Sequence, residues 1–390
     1  MEIHPHPIGG LAERPGSAGE AAGRFYVPEL DSLRFFAFFA VFIHHATGPA
    51  AMSWQPGVAR SLAEAGGLGV DLFFVLSAYL ITKLLLREQT AEGKIDVRSF
   101  YIRRILRIWP LYYFYIGVAY VLSRLITQLA FAPSYLVLLL VFLGNARMPP
   151  YNFVTLLWSV SMEEQFYLLW PLVIRGKSRR GVAMAAVTML VIASISRFLV
   201  IRLGYLNPPM WINTFTRLDP FAVGILVAAL RLDEIAELNL VVRMGLVLAG
   251  AGAWFFAVHY CDFYTYIPTM IHAMVGYPAV ALGSGAFLLA SLGAGKAGAR
   301  FMLNGRLRYL GKISYGLYVY HLLALIFADF VCNRMLGKSV TGQPLWIEWP
   351  IAFSTGFLLT VLLAMASYRW LESPFLRLKD RFTLIPSRPV

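Results

Sequence analysis

Charge is what this chain has least of. Only 14% of its 390 residues are Asp, Glu, Lys or Arg, against about 25% in a soluble domain, and 58% are hydrophobic. That scarcity excludes an ordinary soluble enzyme and removes any need for several soluble domains. Cysteine is nearly absent. Cys261 and Cys332 are the two present, which excludes a thiolate metal cluster and a disulfide framework. Both are expected on the outer side as packing cysteines, with a single bridge between them the alternative. A Walker motif, a dinucleotide-binding fingerprint and a zinc signature are missing too. His4 and His6 are poor metal candidates, so no metal is expected. Residues 1–29 are polar and rich in Pro and Gly, without an apolar core ahead of a cleavage site. They read as a flexible cytoplasmic N-terminal tail, with the first helix acting as an uncleaved signal.

What the chain does have is long apolar runs. At about 20 residues per crossing, spans are predicted at 31–50, 67–86, 108–129, 156–174, 182–201, 217–230, 243–259, 271–293, 313–336 and 350–370. The net charge of +13 (34 basic less 21 acidic residues) is not spread as a nucleic-acid binder would spread it. Basic residues collect in short connections: Arg87 to Arg107, Arg175 to Arg180, Lys296 to Lys312, and Arg369 to Arg381. Cytoplasmic loops carry such an excess. All four clusters share one side only if Tyr135–Leu143 does not cross. The expected fold is therefore an all-α integral membrane protein of about ten transmembrane helices, with both termini cytoplasmic. Residues 135–155 form a re-entrant or interfacial element and a candidate wall of the site, because irregular backbone at membrane depth must be buried in protein or line a cavity. Membrane lipids are the expected surroundings, and nucleic acid is not an expected partner.

Ionisable groups inside spans are costly and mark functional sites by default. Arg34 and His45 lie in the first span, 11 residues apart. At about 100° per residue they share one face, about 16 Å apart along the axis. His45 is a candidate base, since a neutral imidazole can take a hydroxyl proton at physiological pH. His44 points about 100° away and reads as structural. Arg34 either snorkels to the headgroups or meets an anionic group. Arg104 and Arg107 share a helical face and together suit a phosphate clamp. Pro110 fits the first turn of a helix there. Glu163 and Glu164 sit in the fourth span. Glu163 matches His45 in depth, so it either orients that imidazole, as carboxylates do in hydrolase triads, or forms a salt bridge elsewhere, for example to Arg217. Asp71 caps its helix or pairs with Arg217. Arg217 and Asp219 either bind an acceptor or pair with each other. Tyr318 and His321 complete the site or pack. Glu372 is expected to pair with a nearby Arg.

Seven segments in order resemble the acyltransferase 3 family of membrane O-acyltransferases: Leu30-Asp31-Ser32-Leu33-Arg34 through His45; Gly69 through Ser77; Phe100 through Pro110; Trp158 through Tyr167; Arg217 through Gly224; Ile313 through His321; and Glu372-Ser373-Pro374-Phe375. The resemblance covers about residues 30–376, which would be the acyltransferase membrane domain, with 377–390 a cytoplasmic C-terminal tail. It implies ten spans and a cytoplasmic acyl-CoA donor serving as co-substrate. Acetyl-CoA is favoured, and the acyl group goes to a hydroxyl, often of a carbohydrate. It implies essential roles for Arg34 and His45, donor binding by Arg104 and Arg107, and a role for Glu163. Glu164 and Tyr167 stand beside it in the same motif. The implied location is the bacterial cytoplasmic (inner) membrane, multi-pass. Two departures stand out: Ala78 and Ser32 occupy positions where the family usually has Gly. Some members carry a further extracytoplasmic esterase-like domain. The residues here run only a short way past the tenth span, so the acceptor is expected to be handled within the membrane domain.

The expected activity is acyl-CoA-dependent O-acylation, with a cell-surface polysaccharide or its lipid-linked precursor as first acceptor and a macrolide-like small molecule as second. Direct transfer assisted by His45 and a covalent acyl intermediate on His45 or Tyr318 are both open. The competing class is a proton-coupled transporter relaying protons through His45, Glu163 and His321, and a non-catalytic scaffold ranks below it. Purified protein should cleave a thioester, and a His45→Ala variant should insert yet fail to transfer. Substrate flux without thioester cleavage, or full activity in the variant, would contradict the enzyme reading.

Overall fold

The computed structural model describes residues 26–52, 57–150, 152–205, 207–234, 238–265, 268–295, 299–335 and 345–382. Among these every regular element is helical, as the long apolar runs require: in lipid a helix satisfies its own backbone groups. The helices are α1 (Glu29–Met52), α2 (Val58–Ala65), α3 (Gly69–Glu92), α4 (Val97–Leu125), α5 (Pro133–Leu140), α6 (Leu157–Ile174) and α7 (Arg179–Leu203). They continue with α8 (Asp219–Ala229), α9 (Leu240–His259), α10 (Met270–Ser291), α11 (Gly305–Lys312), α12 (Ser314–Met335), α13 (Leu345–Ser367) and α14 (Ser373–Lys379). The protein is an all-α membrane protein, with seven helices among the described residues long and apolar enough to cross. The other three expected spans are also helical. However, α1 carries Glu29, Asp31 and Arg34, α6 carries Glu163 and Glu164, and α8 has only 11 residues.

Helix α1 is the hub. It packs on α2, α3, α10, α11, α12 and α13. Phe38 and Phe42 are fully buried, and the Phe42 ring sits 5.1 Å from Phe353 and 5.3 Å from Phe357. Both departures from the family pattern have a local reason. The Ser32 hydroxyl donates to the Met302 carbonyl at 2.7 Å, tying α1 to the turn before α11. Ala78 faces Gly224 across the α3–α8 contact. A Cβ on Gly224 would lie 2.3 Å from the Val75 carbonyl oxygen and 3.0 Å from the Ala78 Cβ. Gly224, on the partner helix, lets the two backbones approach closely with Ala78 in that position.

The basic loop expected before residue 108 is instead the first part of α4, which runs from Val97. Asp96 caps it by accepting from the Ser99 N–H and hydroxyl at 3.0 and 2.6 Å. Those bonds hold the Asp96 carboxyl below the usual carboxylate range. Arg104 and Arg107 therefore stand on a formed helix, and Pro110 lies in its interior rather than in its first turn. Beyond the end of α8, Arg231 beside Glu234 draws that carboxyl down to about 2. Lys83 bonds Asp233 and, at 3.0 Å, Glu234, fastening this loop to α3.

Helix α5 has eight residues, about 12 Å at 1.5 Å per residue, too short to cross. Its last carbonyls lack helical partners. Tyr112 and Tyr113 of α4 supply hydroxyl donors to Leu139 and Leu140 at 2.8 and 3.0 Å. Phe142 follows with φ 56° and stacks on Tyr112 at 4.6 Å. Of the residues assigned to tails, 1–25 and 383–390 lie outside the described residues, whereas Glu29 opens α1 and Arg377–Lys379 belong to α14.

Replacing Gly224 by Ala should cost about 1–3 kcal/mol, the usual penalty for forcing volume into a packed contact. Gly117→Ala, where a Cβ would meet nothing within 4 Å, should leave the thermal unfolding midpoint unchanged or slightly raised. Thermal unfolding of both variants in one detergent checks this; equal midpoints would contradict the close approach.

Candidate active site

A cavity of about 180 Å³ opens between α1, α3, α4, α6 and α12. Helix α3 supplies its longest wall: Val70, Phe73, Phe74, Ser77, Leu80, Ile81 and Leu84. These positions recur at helical spacing on one face, over about 21 Å. From α1 only Leu30, Asp31 and Arg34 reach the cavity, so the open route follows α3 rather than the first helix.

One end is basic. Arg34, Arg104 and Arg107 line it, with Tyr26 and Asp31. Asp31 orients two neighbours, accepting from Tyr26 at 2.7 Å and pairing with Arg34 at 3.2 Å. The Arg104 guanidinium lies over the rings of Tyr167 and Phe100, 5.4 and 5.5 Å from their centres. Among the described residues Arg104 and Arg107 have no carboxylate within ion-pairing distance, and the Arg104 Nε is buried without a hydrogen bond. Helix α6 carries Ser159, Val160, Glu163 and Tyr167 along its cavity face. Glu163 accepts from the Ser77 hydroxyl at 2.8 Å. Glu164 points elsewhere: one oxygen accepts from Trp109 at 3.0 Å and the other is buried without a partner. At the opposite end the Tyr318 hydroxyl meets Ser159 at 2.6 Å.

His45 does not line the cavity, and its expected pairing with Glu163 is not formed. Glu163 is taken by Ser77. His45 turns its Nδ1 to the Val41 carbonyl at 3.0 Å and to the Nε2 of His321 at 3.2 Å. Equal depth allowed the Glu–His pair, but the packing of α12 against α1 brings His321 to the imidazole instead. The cavity is linked to His45 through Tyr318, which lines it and sets its ring 5.5 Å from that of His321. Gly69, next to the cavity-lining Val70, is pressed so close to α1 that a Cβ there would lie 2.9 Å from Val41, one helical turn before His45. His44 faces the other way, bonding the Ala63 carbonyl at 3.2 Å and stacking on Tyr264 at 5.7 Å.

Two further expectations change. Arg217 and Asp219 do not pair with each other. Arg217 pairs with Asp71, both 3% exposed or less, and Asp219 takes Arg197 in two bonds at 2.5 and 3.1 Å. Arg197, at 0% exposure, was given no role from sequence; a lone arginine in an apolar span was the available signal. Among the described residues the element at 135–155 lines no part of the cavity. It packs behind α6, through Ser161 to the Gly144 N–H at 3.2 Å and Gln165 to the Phe142 carbonyl at 2.8 Å. Ser77 and Ser159 carry no signal of their own in the sequence, because single serines are common in apolar helices. Both lie in segments that carry the resemblance.

A family model described as an acyltransferase domain matches residues 27–369, nearly the whole of this bundle. The chain belongs to the acyltransferase 3 family. Curated relatives include the O-acetyltransferase OatA of Staphylococcus aureus strain COL, 28% identical over 383 residues, spanning 90% of this chain and 57% of the relative. A putative O-acetyltransferase of the same strain, SACOL0978, is 25% identical over 389 residues with the same coverage. The chain thus spans little more than half the length of the curated relatives it matches. No solved structure matches. Within the family domain, Arg34, Arg104, Arg107, Glu163, Tyr167 and Tyr318 meet in one cavity. His45 and His321 stand just beyond it, and Asp71 with Arg217 and Asp219 with Arg197 form two buried ion pairs outside it.

Breaking the Asp71–Arg217 pair from one side should be costly. Asp71→Ala leaves Arg217 buried and uncompensated, a loss of about 3–5 kcal/mol. The double variant Asp71→Leu/Arg217→Met should lose less than the sum of the single changes. Chemical or thermal unfolding in detergent measures both; additive losses would contradict a coupled pair.

Proposed function

We propose that this protein is an O-acyltransferase that moves an acyl group, acetyl in the first instance, from acyl-CoA to a hydroxyl of a carbohydrate acceptor. The acceptor class is a cell-surface polysaccharide or its lipid-linked precursor. The observation that carries the reading is the cavity itself: three arginines at one end, apolar walls along α3, and a histidine pair next to Tyr318 at the other end. Its volume of about 180 Å³ is below the roughly 300–1,000 Å³ of a pocket for a whole drug-sized ligand. It suits a slender acyl-pantetheine arm with the nucleotide left at the mouth. Family membership and O-acetyltransferase relatives support the same chemistry.

In this reading Arg104 and Arg107 bind the donor phosphates, as paired guanidiniums do well, and Arg34, held by Asp31, adds a third charge. Tyr167 and Phe100 keep the Arg104 plane in place. Glu163 and Ser77, midway along, hydrogen-bond the polar part of the arm. The donor thioester supplies the acyl carbon and the leaving thiolate. His45 takes the proton of the acceptor hydroxyl as its oxygen attacks that carbon; the C–S bond breaks and an ester forms. General-base help of this kind is worth about 10²–10⁴-fold. The basic end faces the cytoplasm, the source of acyl-CoA, in a bacterial inner membrane crossed ten times with both termini cytoplasmic. That sidedness agrees with the Lys and Arg clusters.

Arg104→Ala and Arg107→Ala should each raise the KM for acetyl-CoA by about 10–100-fold, the loss of one charged hydrogen bond of roughly 1.5–3 kcal/mol. The kcat should fall less. Steady-state kinetics on purified protein check this. An unchanged KM in both variants would sink the donor assignment. Mass spectrometry of surface glycans with and without the gene tests the acceptor: loss of O-acetyl groups is expected, and unchanged glycans would shift the choice to a small-molecule acceptor.

A further inference from the structure

The histidine pair has a directionality that can be read from its carbonyl partners. The Nδ1 of His321 lies 2.5 Å from the Tyr318 carbonyl oxygen. A carbonyl can only accept, so this nitrogen carries the proton, and the Nε2 of neutral His321 is left with a bare lone pair. The Nδ1 of His45 lies 3.0 Å from the Val41 carbonyl and must likewise be the protonated nitrogen. Its N–H is shared with the lone pair on the His321 Nε2, 3.2 Å away. The bonds agree only when both rings carry their proton on Nδ1. The Nε2 of His45 then bears an unprotonated lone pair, and among the described residues it has no hydrogen-bond partner. His321 is itself held rigidly, at 0% exposure, with the Phe38 ring edge-on at 6.1 Å.

We propose that His321 is a positioning residue. It fixes His45 in the Nδ1–H tautomer, so that the Nε2 is the atom that receives the acceptor proton, and its lone pair steadies the imidazolium that results. This rests on the transferase reading for its purpose but not for its geometry. A neutral imidazole thus takes the orienting place that a carboxylate holds in hydrolase triads. It does so without adding a charge to apolar surroundings, where an ionised carboxylate would be costly. Tyr318 links this pair to the cavity, because its ring lines the cavity while its carbonyl holds His321.

The test uses the full chain in lipid nanodiscs with ¹⁵N-labelled histidine, the His45 signals being assigned by their disappearance in His45→Ala. In the unaltered protein the His45 Nδ1 should be protonated and its Nε2 bare. His321→Phe keeps a ring of similar size but offers no lone pair. There an Nε2–H population of His45 should appear and kcat should fall by about 10–100-fold, the scale of a lost orienting partner, with the KM for acetyl-CoA unchanged. His321→Gln places an amide oxygen near the position of Nε2. It should keep His45 in the Nδ1–H form and restore most of kcat. A packing role predicts the opposite order, with Phe active and Gln impaired. That order, or a His45 protonated on Nε2 in the unaltered protein, would overturn the proposal. If the tautomers come out as expected but the purified protein transfers nothing, the transferase reading fails and the pairing stands.

Discussion

A charge carried into apolar surroundings has to be met, and the way each charge is met divides this molecule into frame and site. Most are met by an opposite charge. Asp71 with Arg217, Asp219 with Arg197, Glu88 with Arg103, and Lys83 with Asp233 are all buried or nearly so, and Lys83 also reaches the exposed Glu234. Such pairs add little net stability compared with apolar packing, yet each is costly to break from one side. They therefore fix which helices are neighbours: α3 to the segment leading into α8, α7 to α8, α3 to α4. Others are met by neutral groups, Glu163 by Ser77 and Glu164 by Trp109. Arg104 and Arg107 line the cavity with no carboxylate within ion-pairing distance among the described residues, and Arg104 lies against the rings of Phe100 and Tyr167. An unmet cationic pair beside an open volume is the arrangement an anionic ligand would complete.

The same division explains how the cavity stays open. Its walls are α3 and α6, and both are held from behind. Gly224 lets α8 press against α3, and Gln165 and Ser161 bind the loop after α5 to the far face of α6. The tyrosine hydroxyls of α4 cap the carbonyls of α5, so that loop can sit among apolar helices without orphaned groups. Frame and site meet at α1, whose first turns reach the basic end and whose later turns bring His45 to His321.

Much of this was legible in the chain. Apolar runs gave the helices, because lipid leaves a crossing segment little choice of structure. Helical spacing put Arg104 with Arg107, because that relation lies within one element, whereas of Arg34 and His45 on α1 only Arg34 lines the cavity. Choice of partner was not legible. Residue depth is a single coordinate, and Glu163 and His321 lie at depths that suit His45 about equally. Which one touches it depends on how α12 packs against α1, a contact across 276 residues of chain. Asp71, Arg217 and Asp219 pose the same problem, and their solution required Arg197. The start of α4 was missed for a different reason: a dense basic run reads as a loop until the Asp96 cap shows that the helix has already begun.

The central claim is that one cavity receives an anionic donor at its arginine end and presents the acyl group near the histidine pair. The most direct measurement is the structure of the protein in nanodiscs with a non-cleavable acetyl-CoA analogue, a ketone in place of the thioester. The account predicts phosphates against Arg104 and Arg107, the arm along α3, and the ketone beyond Glu163 toward Ser159 and Tyr318. An analogue bound outside this cavity, or lying with its acyl end turned away from α1 and α12, would contradict it.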